Sequence, residues 1–290
     1  MSRPSLPFVK GHGTGNDFVI LDNLDGRLHV TPTEVAALCD RRRGVGGDGV
    51  LVVSRVVHHG EVAEQARSGA TFFMDYRNAD GSIAAMCGNG ARVFVAYLAH
   101  RGLVQPGSFV IATRGGARQV WMTGTGADIV VDMGAPEVLG DDVRVKVTDW
   151  AGPRPALGVL MPNPHAVTWV DDLDEAGALA IAPDVTPSGV FPDGVNVEFV
   201  HALAADHIQM RVHERGVGET LSCGTGACAA AVAHLGRAGL GPGAEPVRVD
   251  VPGGELVVRW EQGGSVRLGG PAELVASGMI EPGWWERHGR

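Results

Sequence analysis

Cysteine is scarce in this chain: four in 290 residues, too few for a disulfide framework, and no pair has the spacing of a zinc site. A reducing, cytoplasmic address is the expectation. Long apolar runs are missing as well. No stretch approaches the roughly 20 residues of a membrane-spanning helix, and Met1–Lys10 lacks the apolar core of a signal peptide, so no membrane partner is expected. Positive charge is thin, with 24 Lys and Arg against 33 Asp and Glu and a net charge of −9. Arg41-Arg42-Arg43 is the one compact basic run and reads as a solvated helix end, so nucleic acid is not an expected partner. What remains, 44% apolar and 20% charged residues, describes a soluble globular chain long enough for one large domain or two ordinary ones.

Glycine, by contrast, is plentiful. Its 43 copies imply many tight turns and suit a strand-rich chain more than a helical bundle. Strands are expected at Phe18–Asp22, Val50–Val57 and Ala70–Arg77, and a helix at Thr33–Arg42 behind Thr31-Pro32. A second helix follows Cys87 and stops at Gly102. Three short strands come next: Ser108–Arg114, Arg118–Met122 and Asp128–Met133, separated by Gly115-Gly116 and Gly124-Thr125-Gly126.

The second half repeats this order. Strands are expected at Ala166–Val170, Val195–His201 and His207–His213. A helix from Cys223 to Gly239 and strands Val247–Val251, Glu255–Trp260 and Ser265–Leu268 follow. Short motifs recur in register: Asn16 and Asn163 lie 163 − 16 = 147 residues apart, as do Gly49 and Asn196 (196 − 49 = 147). A chain that repeats its order of elements once reads as two pseudo-symmetric domains with a ligand cleft between them. The fold class is α/β (α+β), each domain a mostly antiparallel, barrel-like sheet around a central helix. Boundaries are set at 1–131 plus 272–290 and at 132–271, because the tail Glu273–Ile280 reads as a strand returning to the first domain.

Two cysteines sit in nearly the same local text, Met86-Cys87-Gly88-Asn89-Gly90-Ala91 and Ser222-Cys223-Gly224-Thr225-Gly226-Ala227. Each precedes an alanine-rich helical stretch, where the positive end of the helix macrodipole favours thiolate over thiol. The glycines allow a tight turn that aims N–H groups at an anion. Cys39 and Cys228 lack that context and read as core. A thiolate can remove a proton from carbon while an opposing thiol delivers one to the other face, which inverts a stereocentre without a cofactor. A carbon acid beside a carboxylate is far weaker than a thiol of pKa ~8.5, so carbanionic charge needs support from the N–H groups of Gly88-Asn89 and Gly224-Thr225. One such preorganised donor can contribute ~3 kcal/mol. A disulfide between the two thiols would be an inactive form.

Other candidates gather around these helix starts. Glu214 and Arg215 end the strand that leads towards Cys223, where an arginine can clamp a carboxylate and a glutamate can accept from an ammonium. Glu214 and His165 can bias thiol protonation. Asn16, Asn78, Asn163 and Asn196 are either turn residues or polar contacts for a ligand. Gly44-Val45-Gly46-Gly47-Asp48-Gly49 matches a dinucleotide fingerprint, but it follows a helix and precedes a strand, the reverse of the required context. It is assigned to a turn lining the cleft, with no nucleotide.

Taken in order, these motifs resemble the diaminopimelate epimerase family. The matching text is Gly13-Thr14-Gly15-Asn16-Asp17-Phe18, Asn78-Ala79-Asp80-Gly81-Ser82, Met86 to Arg92, Pro162-Asn163-Pro164-His165, Gly194 to Glu198, and Glu214 to Thr220 running into Ser222-Cys223-Gly224-Thr225-Gly226. The resemblance implies conversion of LL-2,6-diaminopimelate to the meso form in lysine and peptidoglycan precursor synthesis, independent of pyridoxal phosphate or any other cofactor or metal. In that direction it makes Cys223 the proton acceptor and Cys87 the donor. Asn16, Asn78, Asn163, Asn196 and Arg215 would hold the substrate, Gly88-Asn89 and Gly224-Thr225 would bind the reacting carboxylate, and His165 and Glu214 would tune the thiols. Many members carry glutamine where this chain has Gly49, so a polar contact is missing there. The nearest competing reading is a proline racemase-type enzyme; a second is an amino-acid-binding protein without catalysis. The oligomeric state is left open, and a homodimer is compatible with the sequence.

Overall fold

Two helices buried on nearly every side require a sheet wrapped around each of them, and that requirement organises both halves of the chain. The computed structural model describes residues 5–124 and 128–288. They divide into two units, Met1–Val131 with Pro271–Arg290, and Asp132–Gly270. Pro271 thus falls with the first unit, one residue from the expected boundary; its carbonyl accepts a 3.3 Å hydrogen bond from Arg92 Nε.

The first unit contains β1 (Leu6–Gly13), β2 (Asn16–Asn23), α1 (Pro32–Cys39), β3 (Gly49–Arg55), β4 (Phe72–Asn78), α2 (Gly88–His100), β5 (Gly107–Ala112), β6 (Arg118–Thr123) and the start of β7 (Asp128–Gly134), which runs past the division at Val131. The chain's last strand, Glu273–Ile280, pairs antiparallel with β1. Neighbouring strands are antiparallel except β2–β3 and β4–β5, whose parallel pairing needs crossovers that α1 and α2 supply. Every residue of α2 from Gly88 to Leu98 is buried.

The second unit contains β8 (Glu137–Lys146), β9 (Arg154–Leu160), β10 (Pro164–Trp169), β11 (Asp184–Thr186), β12 (Asn196–Ala204), β13 (His207–Glu214), β14 (Gly218–Thr220), α3 (Gly224–Arg237), β15 (Val247–Val251), β16 (Gly254–Trp260) and β17 (Val266–Gly270). Its main strands and central helix repeat the order of the first unit, with β11 where that unit has α1 and β14 added ahead of α3. β8–β9, β9–β10, β12–β13, β15–β16 and β16–β17 are antiparallel, while β10–β12 and β13–β15 are parallel. The register repeats as well. Phe18 faces Gly49 in the first unit and His165 faces Asn196 in the second, so both positions are displaced by 147. Val50 faces Arg77 and Val197 faces His213, which displaces β13 from β4 by 213 − 77 = 136, the spacing that also separates Cys87 from Cys223 (223 − 87 = 136).

Several expectations needed adjusting. The first helix ends at Cys39, not Arg42, and starts on a capping box in which Thr31 and Glu34 exchange hydrogen bonds. β1, β8, β9, β11 and β14 were not anticipated. β8 carries register shifts around Gly140, which break the alternation that marks a strand; β11 and β14 are three residues each. Of the separator Gly124-Thr125-Gly126, the last two residues lie outside the described ones. Among the described residues no helix is long and apolar enough to cross a membrane.

Candidate active site

In the first unit Cys87 is the N-cap of α2, and its half-buried Sγ accepts a 3.3 Å hydrogen bond from Gly90 N–H. Gly88 and Asn89 form the first turn of α2, where N–H groups face out of the helix start. Asn16, the first residue of β2, points its Oδ1 at this turn, where the Cys87 thiol donates to it at 3.7 Å and Asn89 Nδ2 at 3.3 Å. The other end of the Asn16 amide donates to Asp48 Oδ2 at 2.8 Å. Asp48 is held in turn by Arg41 Nη2 at 2.7 Å, which also reaches Asp17. Lys10 closes the network on Asp17 and on the Gly46 carbonyl.

One earlier reading changes here. Arg41 is not simply a solvated helix end, because it bridges two carboxylates. The Gly44–Gly49 turn is the segment that brings Asp48 to Asn16. Asn78 ends β4 opposite Gly49, and its amide donates to Ser82 Oγ at 2.9 Å rather than joining the Asn16 group. A Cβ at Gly49 would stand 2.5 Å from the Arg77 carbonyl oxygen and 2.7 Å from Tyr76 Cε2. The Tyr76 ring therefore occupies the room that a side chain at this position would need.

In the second unit Cys223 is the N-cap of α3. Its Sγ accepts from Gly226 N–H at 3.4 Å and lies 3.4 Å from Thr225 Oγ1. Glu214, at the end of β13, accepts from Thr220 Oγ1 at 2.5 Å and lies near enough to Cys223 for its carboxylate to raise the thiol. Asn196 Oδ1 accepts from the Arg215 backbone N–H at 2.9 Å, and the Arg215 guanidinium donates to the Asp193 carbonyl at 2.9 Å. His165 Nε2 is 3.0 Å from Asn163 Oδ1, and its Nδ1 is 2.6 Å from Glu198 Oε1. All predicted polar residues of this unit are therefore engaged near its helix start or on the adjoining strand ends.

Electrostatics corrects one expectation. Burial first, then the carboxylates of Glu214 and Glu198, raise the Cys223 thiol well above its ordinary range, against the opposing hydrogen bonds of Thr225 and Gly226. The helix start alone does not make this group a thiolate. Glu214 is itself raised, chiefly by burial, with Glu198 adding to it. Both are therefore biased towards holding protons. Asp48, Thr220 and Glu198 were missed as supporting residues. Asp48 and Glu198 stood inside motifs singled out on other grounds, and their contacts link strands that are distant in sequence.

Solved structures share this fold. A PhzF-family phenazine biosynthesis protein of Bacillus anthracis superposes with a TM-score of 0.67 at 17% identity, covering 96% of this chain and 100% of that one. A hydroxyproline epimerase from Agrobacterium vitis does so with a TM-score of 0.67 at 14% identity, covering 97% and 94%. These neighbours share the α/β fold of this chain at low sequence identity. The family model for diaminopimelate epimerase matches residues 8–139 and 158–275. A diaminopimelate epimerase of Streptomyces coelicolor is 50% identical over 287 residues, 97% of each chain. The chain belongs to the diaminopimelate epimerase family and is an isomerase.

Proposed function

We propose that this enzyme interconverts LL-2,6-diaminopimelate and meso-diaminopimelate by passing protons through two thiols, with no cofactor. The observation that carries this reading is the pair of cysteine N-caps, at equivalent places in two units of matching register, each with a thiol beside amides and helix-start N–H groups. In the LL-to-meso direction Cys223 is the proton acceptor and Cys87 the donor, with Glu214 and His165 setting how readily Cys223 ionises. The Cys223 thiolate then takes the α-proton, and the Cys87 thiol delivers its own to the opposite face. Charge developing on the substrate carboxylate is met by the N–H groups of Gly88-Asn89 and Gly224-Thr225.

Asn16, Asn78, Asn163, Asn196 and Arg215 hold the remaining amine and carboxylate, and His165 and Glu214 set the proton balance of the thiols. A substrate with charged groups at both ends uses this whole set; proline, with one carboxylate and one amine, would leave part of it unpaired. The reaction belongs to lysine and peptidoglycan precursor synthesis, in the cytoplasm, with a homodimer as the working assembly. The test is Cys87→Ala and Cys223→Ala assayed beside wild type on diaminopimelate and on proline. Loss of diaminopimelate epimerisation in both folded variants is expected; near-normal turnover in either, or wild-type activity on proline alone, refutes the reading.

A further inference from the structure

The most deeply buried polar pair of the second unit has no counterpart in the first. His165 and Glu198, both 0% exposed, meet at 2.6 Å. The displacement of 147 puts Phe18 at the place of His165 and Leu51 at that of Glu198 (198 − 51 = 147). The first-turn glycines show the same exchange. A Cβ at Gly90 would meet Leu51 Cδ2 at 3.4 Å and Phe18 Cζ at 3.5 Å, whereas one at Gly226 would meet Glu198 Oε1 at 2.7 Å and Cys223 Sγ at 3.3 Å. One helix start rests on hydrocarbon, the other on an acid–imidazole pair.

The pair carries an energetic cost that packing does not explain. Glu198 Oε2 is buried with no hydrogen-bond partner among the described residues, and leaving a buried acceptor unpaired is unfavourable. The first unit shows that an apolar pair fills the same place in the fold without that cost.

We propose that Glu198 is a positioning residue for the reaction: it fixes the His165 ring between itself and Asn163 and sets a negative charge beneath Cys223. The proposal rests on the two-thiol reading above. Clamped at both nitrogens, the ring has one orientation, and it occupies Asn163 Oδ1, which leaves the Asn163 Nδ2–H groups for another acceptor. The titratable groups facing Glu198 are His165 from β10, Glu214 from β13 and Cys223 at the start of α3. Glu198 adds to the burial that raises both Glu214 and Cys223.

Glu198→Gln tests this by keeping the shape and removing the charge. The double variant His165→Phe/Glu198→Leu copies the first unit's pair and guards against a failure to fold. In Glu198→Gln, kcat/KM should fall about tenfold or more, and the whole pH profile should move to lower pH, because withdrawing a buried negative charge eases ionisation of Cys223 and Glu214. The double variant should fold and lose at least as much activity, and Glu198→Asp should restore part of the rate and the wild-type limbs. A uniform loss with an unmoved profile, or a double variant with the wild-type profile, makes Glu198 a packing residue and overturns the proposal. Ring 15N shifts of His165 read the clamp without turnover. They should differ between wild type and Glu198→Gln, and identical shifts overturn the proposal even where the enzyme proves inactive on diaminopimelate, an outcome that would separately remove the assigned reaction.

Discussion

Gly90 and Gly226 occupy equivalent places in the first turns of α2 and α3, yet alanine should be tolerated at one and damaging at the other. At Gly90 the new methyl meets Cys87 Cβ and Leu51 Cδ2 at 3.4 Å and Phe18 Cζ at 3.5 Å, ordinary packing distances. Replacing glycine in a helix also recovers up to ~1 kcal/mol of propensity. Gly90→Ala should therefore lie between neutral and about 1 kcal/mol more stable than wild type. At Gly226 the methyl would stand 2.7 Å from Glu198 Oε1, which cannot swing aside without giving up its 2.6 Å contact with His165. Overpacking costs roughly 1–3 kcal/mol and a broken buried hydrogen bond roughly 1–3 kcal/mol. Allowing for partial relaxation, Gly226→Ala should lose about 2–4 kcal/mol. At roughly 2–4 °C per kcal/mol this is a fall of about 4–16 °C in Tm. Denaturant and thermal unfolding of the two variants, side by side with wild type, measures both. A Gly226→Ala protein within about 0.5 kcal/mol of wild type would show that the acid–imidazole pair is not rigid, and a Gly90→Ala protein equally damaged would show that the pair does not set the difference between the two glycines.

Two further outcomes concern the first unit. Asp48→Ala frees the Asn16 amide, so kcat/KM should drop about tenfold while stability changes by less than about 1 kcal/mol, since Arg41 and Asp48 are both substantially exposed; full activity would detach Asn16 from catalysis. Asp75 is raised by burial, but hydrogen bonds from Arg77 and Arg114 outweigh this and hold it below its ordinary value. A depressed folded pKa makes its stabilisation complete above the unfolded value near about 4 and lost as pH falls below it. Urea unfolding from about pH 6 down to about pH 3 should show that slope in wild type and a shallower one in Asp75→Asn; parallel slopes would contradict the assignment.

Much of the architecture was legible because it is written twice. The repeated text around Cys87 and Cys223 marked both central helices, and the displacement of 147 seen in the asparagine motifs reappears in the pairing of β2 with β3 and of β10 with β12. What stayed hidden was local irregularity and long-range contact. β8 conceals its strand character behind bulges around Gly140. Arg41 looked like part of a solvated run until the fold set Asp17 and Asp48 against it. Thiol acidity was misjudged for Cys223 because a helix start is visible in sequence, whereas burial and the approach of Glu214 and Glu198 from other strands are not.

The central claim, that separate thiols remove and deliver the proton, is tested most directly by running the reaction from LL-diaminopimelate in deuterated water and stopping it early. A thiol exchanges with solvent, so the donor carries deuterium while the acceptor takes substrate hydrogen. Meso product should then hold one deuterium at the inverted carbon, with none in the unreacted LL substrate. Product that keeps its original hydrogen, or deuterium appearing in the substrate pool at the same rate as in product, would contradict the two-thiol mechanism.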